Sequence, residues 1–122
     1  MKKDIEKQTT YENIKECFFY IIGYINMILQ YQSYNESFDE YRNILLIVTK
    51  WMINYEESRD ISLINHVELL EIYKKLDNLQ TKYTCNVNMG KESELSDYVL
   101  NWMWDLMYLR KSYIENRGNG NV

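Results

Sequence analysis

Leu95–Ile114, LSDYVLNWMWDLMYLRKSYI, decides how this chain folds. At helical spacing, Leu95, Val99, Trp102, Leu106, Leu109 and Tyr113 fall on one face. Trp104, Met107 and Tyr108 fall on another. One core hides one face of a helix. The second face is therefore expected either to lie inside a bundle or to meet a partner.

Toward the N-terminus the same period recurs three times. Helices are expected at about 11–32, 38–56, 63–83 and 94–116, with a frayed tail at 118–122. The first is expected to bury Ile14, Phe18, Ile21, Ile25 and Ile28, widened by Ile22 and Leu29. Tyr20, Tyr24, Met27 and Tyr31 turn away from that stripe. Thr9 with Glu12, and Ser37 with Glu40, read as capping boxes for the first two helices. Phe38, Tyr41, Leu45, Val48, Met52 and Tyr55 make the second helix's face, broadened by Ile44 and Trp51. Leu69, Tyr73 and Leu76, beside Val67 and Leu70, make the third's, with Asp60 or Ser62 as its cap. Short links between long amphipathic helices predict one all-α domain over 1–122. The expected fold is a four-helix up-and-down bundle, dimerised through the second apolar face if nothing inside the monomer covers it.

Composition narrows the partners. The net charge is −4, from 14 basic and 18 acidic residues, which disfavours direct nucleic-acid or anionic-membrane binding. Lys74, Lys75, Lys82, Arg110 and Lys111 are the residues a basic patch would have to use. The chain has no proline and no alanine and is rich in Asn, Ile, Tyr and Lys. That bias points to AT-rich coding and to a low-GC bacterium, its phages and mobile elements, or an AT-rich virus. Phe18–Leu29 is an apolar run of about a dozen residues where a membrane span needs ~20, so it reads as a buried helix. No secretory signal is visible, and Cys17 and Cys85 stand in no metal-ligand spacing. Reduced thiols and a cytoplasmic location are expected.

Three constellations carry the functional expectations. Glu68-Leu-Leu-Glu71 followed by Glu94-Leu-Ser-Asp97 resembles the metal motif of all-α nucleotide pyrophosphohydrolases, the MazG-like enzymes and dimeric dUTPases. The resemblance implies acids that gather magnesium on substrate phosphates. Helical geometry opposes it. Glu71 lies about a dozen residues, or ~18 Å, before the third helix ends, whereas Glu94 begins the fourth. Arg59, with Asp60 as polar neighbour, followed by His66, resembles the HEPN ribonucleases. The resemblance implies metal-independent RNA cleavage by the Arg and His of paired subunits, with His66 shuttling a proton and Arg59 steadying the phosphate. The residue-level alternative makes Arg59 a loop residue and His66 a first-turn residue at the edge of the core.

The third constellation is the surplus apolar surface: Trp104, Met107 and Tyr108 on the last helix, Tyr20, Tyr24, Met27 and Tyr31 on the first. Trp, Tyr and Met are enriched at the centres of interfaces. In addition, WMWDLMYLRKSYIENRGN, residues 102–119, is similar to the last signature region of Bcl-2-like proteins. Its register is off by one, and no Asn-Trp-Gly-Arg lies upstream.

With one histidine and no glycine-rich phosphate loop, the leading expectation is a non-enzymatic protein–protein interaction module. It is expected to inhibit or regulate a host protein or nucleoprotein complex for a phage or mobile element. Anti-CRISPRs and other anti-defence proteins are precedents by class. No cofactor and no metal are expected, and homodimerisation is the simplest way to cover the second faces.

Overall fold

A computed structural model describes residues 2–31, 36–84 and 90–118, with side chains over 10–30, 38–81 and 94–116. Four α-helices carry the described chain: α1 Lys2–Tyr31, α2 Glu36–Ser58, α3 His66–Thr84 and α4 Gly90–Gly118. A 3-10 turn, Ile61–Leu63, lies between α2 and α3. No strand occurs among the described residues. All four helices begin or end differently from the sequence reading. The largest difference is α1, which starts at Lys2 and not at Tyr11, placing Thr9 inside the helix. Lys2–Thr10 contains neither glycine nor proline, so nothing in it stops a helix.

Contacts fix the directions of the helices. Tyr20 stacks on Trp102 and Tyr24 on Tyr98, so α1 and α4 run antiparallel. Tyr73 meets Trp104 and the Ile64 carbonyl meets Arg110, so α3 and α4 are antiparallel too. Tyr55, near the end of α2, stacks on Tyr11 of α1. Tyr41, near its start, lies 3.4 Å from Ser96 Oγ near the start of α4. Hence α2 runs with α4 and against α1. These contacts fit a bundle of alternating helices in which α1 and α4 form the most extensive interface, flanked by α2 on α1 and α3 on α4. The flanking helices α2 and α3 approach each other less closely. Trp51 Nε1 donates to Glu68 Oε1 across that gap at 3.3 Å.

The buried stripe of α1 is the one its periodicity predicts. Ile14, Phe18, Ile21, Ile25 and Ile28 are all fully buried, joined by Cys17. On α2 the stripe is rotated from the expected line: Ile44 and Trp51 are buried beside Tyr41, Val48 and Tyr55, while Leu45 and Met52 are half-buried. On α3 the buried line is Leu69, Ile72, Leu76 and Leu79. Tyr73 lies at its margin and Val67 is exposed, which corrects the Leu69–Tyr73–Leu76 centre read from sequence. On α4, Leu95, Ser96, Val99, Leu100, Met103 and Leu106 are buried. Trp102, Leu109 and Tyr113 are half-buried and packed against that core. The core side of α4 is thus centred nearer Met103 than the Leu95–Val99–Trp102 line implies.

The α2–α3 connection explains the late start of α3. Arg59 adopts φ 57°, the left-handed conformation that closes a helix C-terminus, and its N–H reaches the Tyr55 carbonyl at 2.7 Å. Asp60 then caps the 3-10 turn and not α3, accepting from the Ser62 N–H at 3.0 Å and from its hydroxyl at 2.6 Å. The cap of α3 is Asn65, whose Oδ1 accepts from the Val67 N–H at 2.8 Å. Ile61 and Ile64 are buried and anchor the connection.

Candidate functional site

Helix α4 presents its surplus rings to solvent beside the start of α3. Trp104 is 61% exposed and Tyr108 65%, and with half-buried Met107 they line a cleft of about 500 Å³. His66, from the first turn of α3, and Arg110 and Lys111 of α4 line the same cleft, which Ile114 and Glu115 extend. The stripe Trp104–Tyr108–Lys111–Glu115 follows directly from i, i+4 and i, i+3 spacing on one helix. His66 reaches it because α3 and α4 run antiparallel.

The polar atoms around this cleft are largely unused. Arg110 Nε donates to the Ile64 carbonyl at 3.0 Å, and among the described residues the guanidinium has no other partner. Partial burial lowers the pKa of Arg110, as desolvation disfavours its charged form. Lys111 sits 4.0 Å from Glu115, both largely exposed. No hydrogen bond engages the Trp104 indole, the Tyr108 hydroxyl or the His66 ring among the described residues. Trp51 differs: it is buried and its indole N–H is bonded to Glu68. The structure therefore separates a structural tryptophan from one that offers both its ring and its donor to solvent.

The aromatic stripe of α1 has a different fate. Tyr20 stacks on Trp102 with ring centres 4.5 Å apart, and Tyr24 on Tyr98 at 5.1 Å. Both tyrosines are half-buried, so α4 supplies much of their cover. Met27 is exposed, and the Tyr31 side chain lies outside the described residues. Among the described residues the two second faces thus show no ring contact with each other: α1 meets Trp102 and Tyr98, while Trp104 touches only Tyr73, at 6.3 Å. Phe19, which the periodicity did not single out, is exposed and sits edge-on to Tyr20.

The other sequence-derived candidates are scattered. The Arg59 guanidinium lies 4.6 Å above the Tyr11 ring, on the α1 side, whereas His66 lines the α3–α4 cleft. No described cleft has both residues in its wall. Glu68 is engaged by Trp51, and Glu71, Glu94 and Asp97 are exposed. Among the described residues, no three His, Cys, Asp or Glu side chains come together as a metal ion would require. A second cleft, of about 590 Å³, lies in the α2–α3 gap over Trp51 and Leu63, with Glu57, Asp60 and Glu68 opposing a single cation, Lys50.

Cys17 is buried and in no disulfide. Burial, reinforced by the nearby charges of Asp105 and Glu16, pushes its thiol up to about 12, so it stays protonated. Cys85 lies outside the described residues. No described helix is long and apolar enough to cross a membrane.

The sequence reading missed the joining of His66, Arg110 and Lys111 around Trp104. The signal was divided: Arg110 and Lys111 lie within one turn of Tyr108, but His66 is brought there only by the packing of α3 on α4. Comparison of the chain with protein-family models, curated proteins and solved structures finds no match.

Proposed function

We propose that this chain is a non-enzymatic helical interaction module that docks a partner protein on the exposed face of α4. The observation that carries the reading is the pair Trp104 and Tyr108. Both are large, rigid rings left mostly in water, while Leu95, Val99, Met103 and Leu106 of the same helix are buried. Large amphipathic rings around an open cleft are the usual anchors of protein interfaces. Among the described residues Glu68, Glu71, Glu94 and Asp97 do not gather as a metal site would require, which supports binding over metal-dependent hydrolysis.

The partner is a host protein or nucleoprotein complex, and the chain acts as a small cytoplasmic inhibitor or regulator encoded by a phage or mobile element. An anti-defence role, of which anti-CRISPR activity is one form, accords with the chain's small size, acidic charge and AT-rich coding bias. A second copy of the chain competes for the same surface, so the free protein is expected to self-associate through Trp104 and Tyr108.

The test is a double variant, Trp104→Ala with Tyr108→Ala, compared with the wild type after circular dichroism shows equal helix content. A defined partner retained by the wild type and lost by the variant supports the reading; equal retention by both refutes it. Light scattering on the same pair measures self-association, which the variant should abolish.

A further inference from the structure

We infer that the cleft between α3 and α4 takes an acidic peptide segment, with a large apolar side chain seated on Trp104, Met107 and Tyr108 and a carboxylate on Arg110. This rests on the reading of α4 as a docking surface and adds the chemistry of what docks.

The geometry of Arg110 supplies the first argument. Its Nε is held 3.0 Å from the Ile64 carbonyl, which turns the Nη end of the guanidinium away from that carbonyl, and the remaining N–H donors have no partner among the described residues. An oriented guanidinium with free donors matches the two oxygens of a carboxylate.

The second argument is charge. Two cations, Arg110 and Lys111, line the cleft with His66 beside them against one acid, Glu115, in a chain whose net charge is −4. The cleft is thus a basic exception on an acidic protein, and that asymmetry selects an anionic partner. The α2–α3 cleft, where acids outnumber Lys50, has the opposite sign.

Third, the walls are mostly apolar, with Trp104, Met107 and Ile114 contributing ring, thioether and aliphatic surface. Nucleic acid, the other anionic macromolecule, prefers a string of phosphate contacts, and two cations beside one apolar cleft do not provide a track. An amphipathic helix with acidic residues beside its apolar face meets both requirements.

The experiment uses the full chain and three fluorescein-labelled probes read by anisotropy. One is a short amphipathic helical peptide with Leu and Phe at helical spacing and Glu between them. The second has the same apolar positions and Lys for every Glu. The third is a thymidine oligonucleotide of similar length. The Glu peptide is expected to bind about tenfold or more tightly than the Lys peptide and to weaken with added salt. Lys111→Glu, at an exposed position, should reverse the order of the two peptides, and Trp104→Ala should weaken both. Arg110→Gln is the direct variant; because Arg110 also holds Ile64, Lys111→Glu keeps the test decisive if Arg110→Gln unfolds.

Equal or tighter binding of the Lys peptide overturns the inference, and so does tighter binding of the oligonucleotide. If no probe binds while Trp104→Ala with Tyr108→Ala still loses the natural partner, the acidic assignment falls and the docking reading stands. Retention of that partner by the double variant removes the docking reading itself.

Discussion

Met103 and Trp104 are adjacent in sequence and opposite in environment, which makes them a controlled comparison for the assignment of faces on α4. Met103 is fully buried at the centre of the bundle, and Met103→Ala leaves a cavity between helices at a cost of about 2–5 kcal/mol. Trp104 is 61% exposed, so about two-fifths of its surface is covered, and the Tyr73 ring lies 6.3 Å from it. A tryptophan that buries ~150–250 Å² when enclosed has roughly 60–100 Å² covered here, equivalent to about 1.5–2.5 kcal/mol at ~25 cal/mol/Å². Alanine returns about 0.5 kcal/mol through its higher helix propensity, leaving a net loss of about 1–2 kcal/mol. Urea unfolding followed by circular dichroism should therefore place the midpoint of Met103→Ala clearly below that of Trp104→Ala, with unchanged slopes. At roughly 3–5 °C per kcal/mol for a chain of this size, thermal midpoints should separate in the same order. If Trp104→Ala loses as much stability as Met103→Ala, Trp104 is a core residue and the docking surface does not exist.

Three further perturbations test other parts of the fold. Gly23 lies inside α1 on an exposed face, where an added Cβ meets nothing within 4 Å; Gly23→Ala should stabilise by about 0.5–1 kcal/mol in the same urea assay, and a loss would show a hidden neighbour. Arg59 combines a left-handed backbone with a cation–π contact to Tyr11, so Arg59→Ala should be less stable than Arg59→Gly by about 1 kcal/mol; the reverse order refutes the C-cap reading. The raised thiol pKa of Cys17, about 12 in the fold against ~8.5 unfolded, favours the folded state fully at neutral pH. That contribution is lost as pH rises from about 9 toward 12, where the unfolded chain ionises first. Burial raises Tyr55 in the same sense, so the informative quantity is the flatter alkaline slope of Cys17→Ala relative to wild type; equal slopes refute the assignment.

How far the fold was legible depends on how one-sided each helix is. The α1 stripe Ile14–Phe18–Ile21–Ile25–Ile28 was read correctly because isoleucines recur at three- and four-residue steps. The α3 stripe was read half correctly. Leu69 and Leu76 belong to both candidate lines, and choosing Ile72 over Tyr73 between them requires knowing which side α4 occupies. The connection was misread for a local reason. Asp60, Ser62 and Asn65 are all good caps, and only the geometry shows that Asp60 serves the 3-10 turn while Asn65 starts α3. Of the site, the exposed rings Trp104 and Tyr108 were legible as a second stripe. The polar wall was not, since a histidine nearly forty residues upstream joins it only through antiparallel packing.

The fates of Trp102 and Trp104 follow from one constraint. Two residues apart on a helix, their side chains diverge by about 200°, so a single neighbour cannot cover both. Helix α4 has neighbours on two sides: α1 stacks Tyr20 on Trp102, and α3 brings only Tyr73 toward Trp104. The cover on the α3 side is short because that helix begins late. Ile64 is level with Arg110, and the chain before it forms a tight 3-10 turn, not another turn of α-helix. Lys111, Ile114 and Glu115 therefore extend beyond the start of α3, and the cleft opens where cover from that helix ends. The Arg110 bond to the Ile64 carbonyl secures that boundary, joining the connection to the wall of the cleft. A chain in which α3 began at Leu63 would have more helix to lay over α4, and the caps at Asp60 and Asn65 prevent that. The open surface is thus specified by the same residues that set the length of α3.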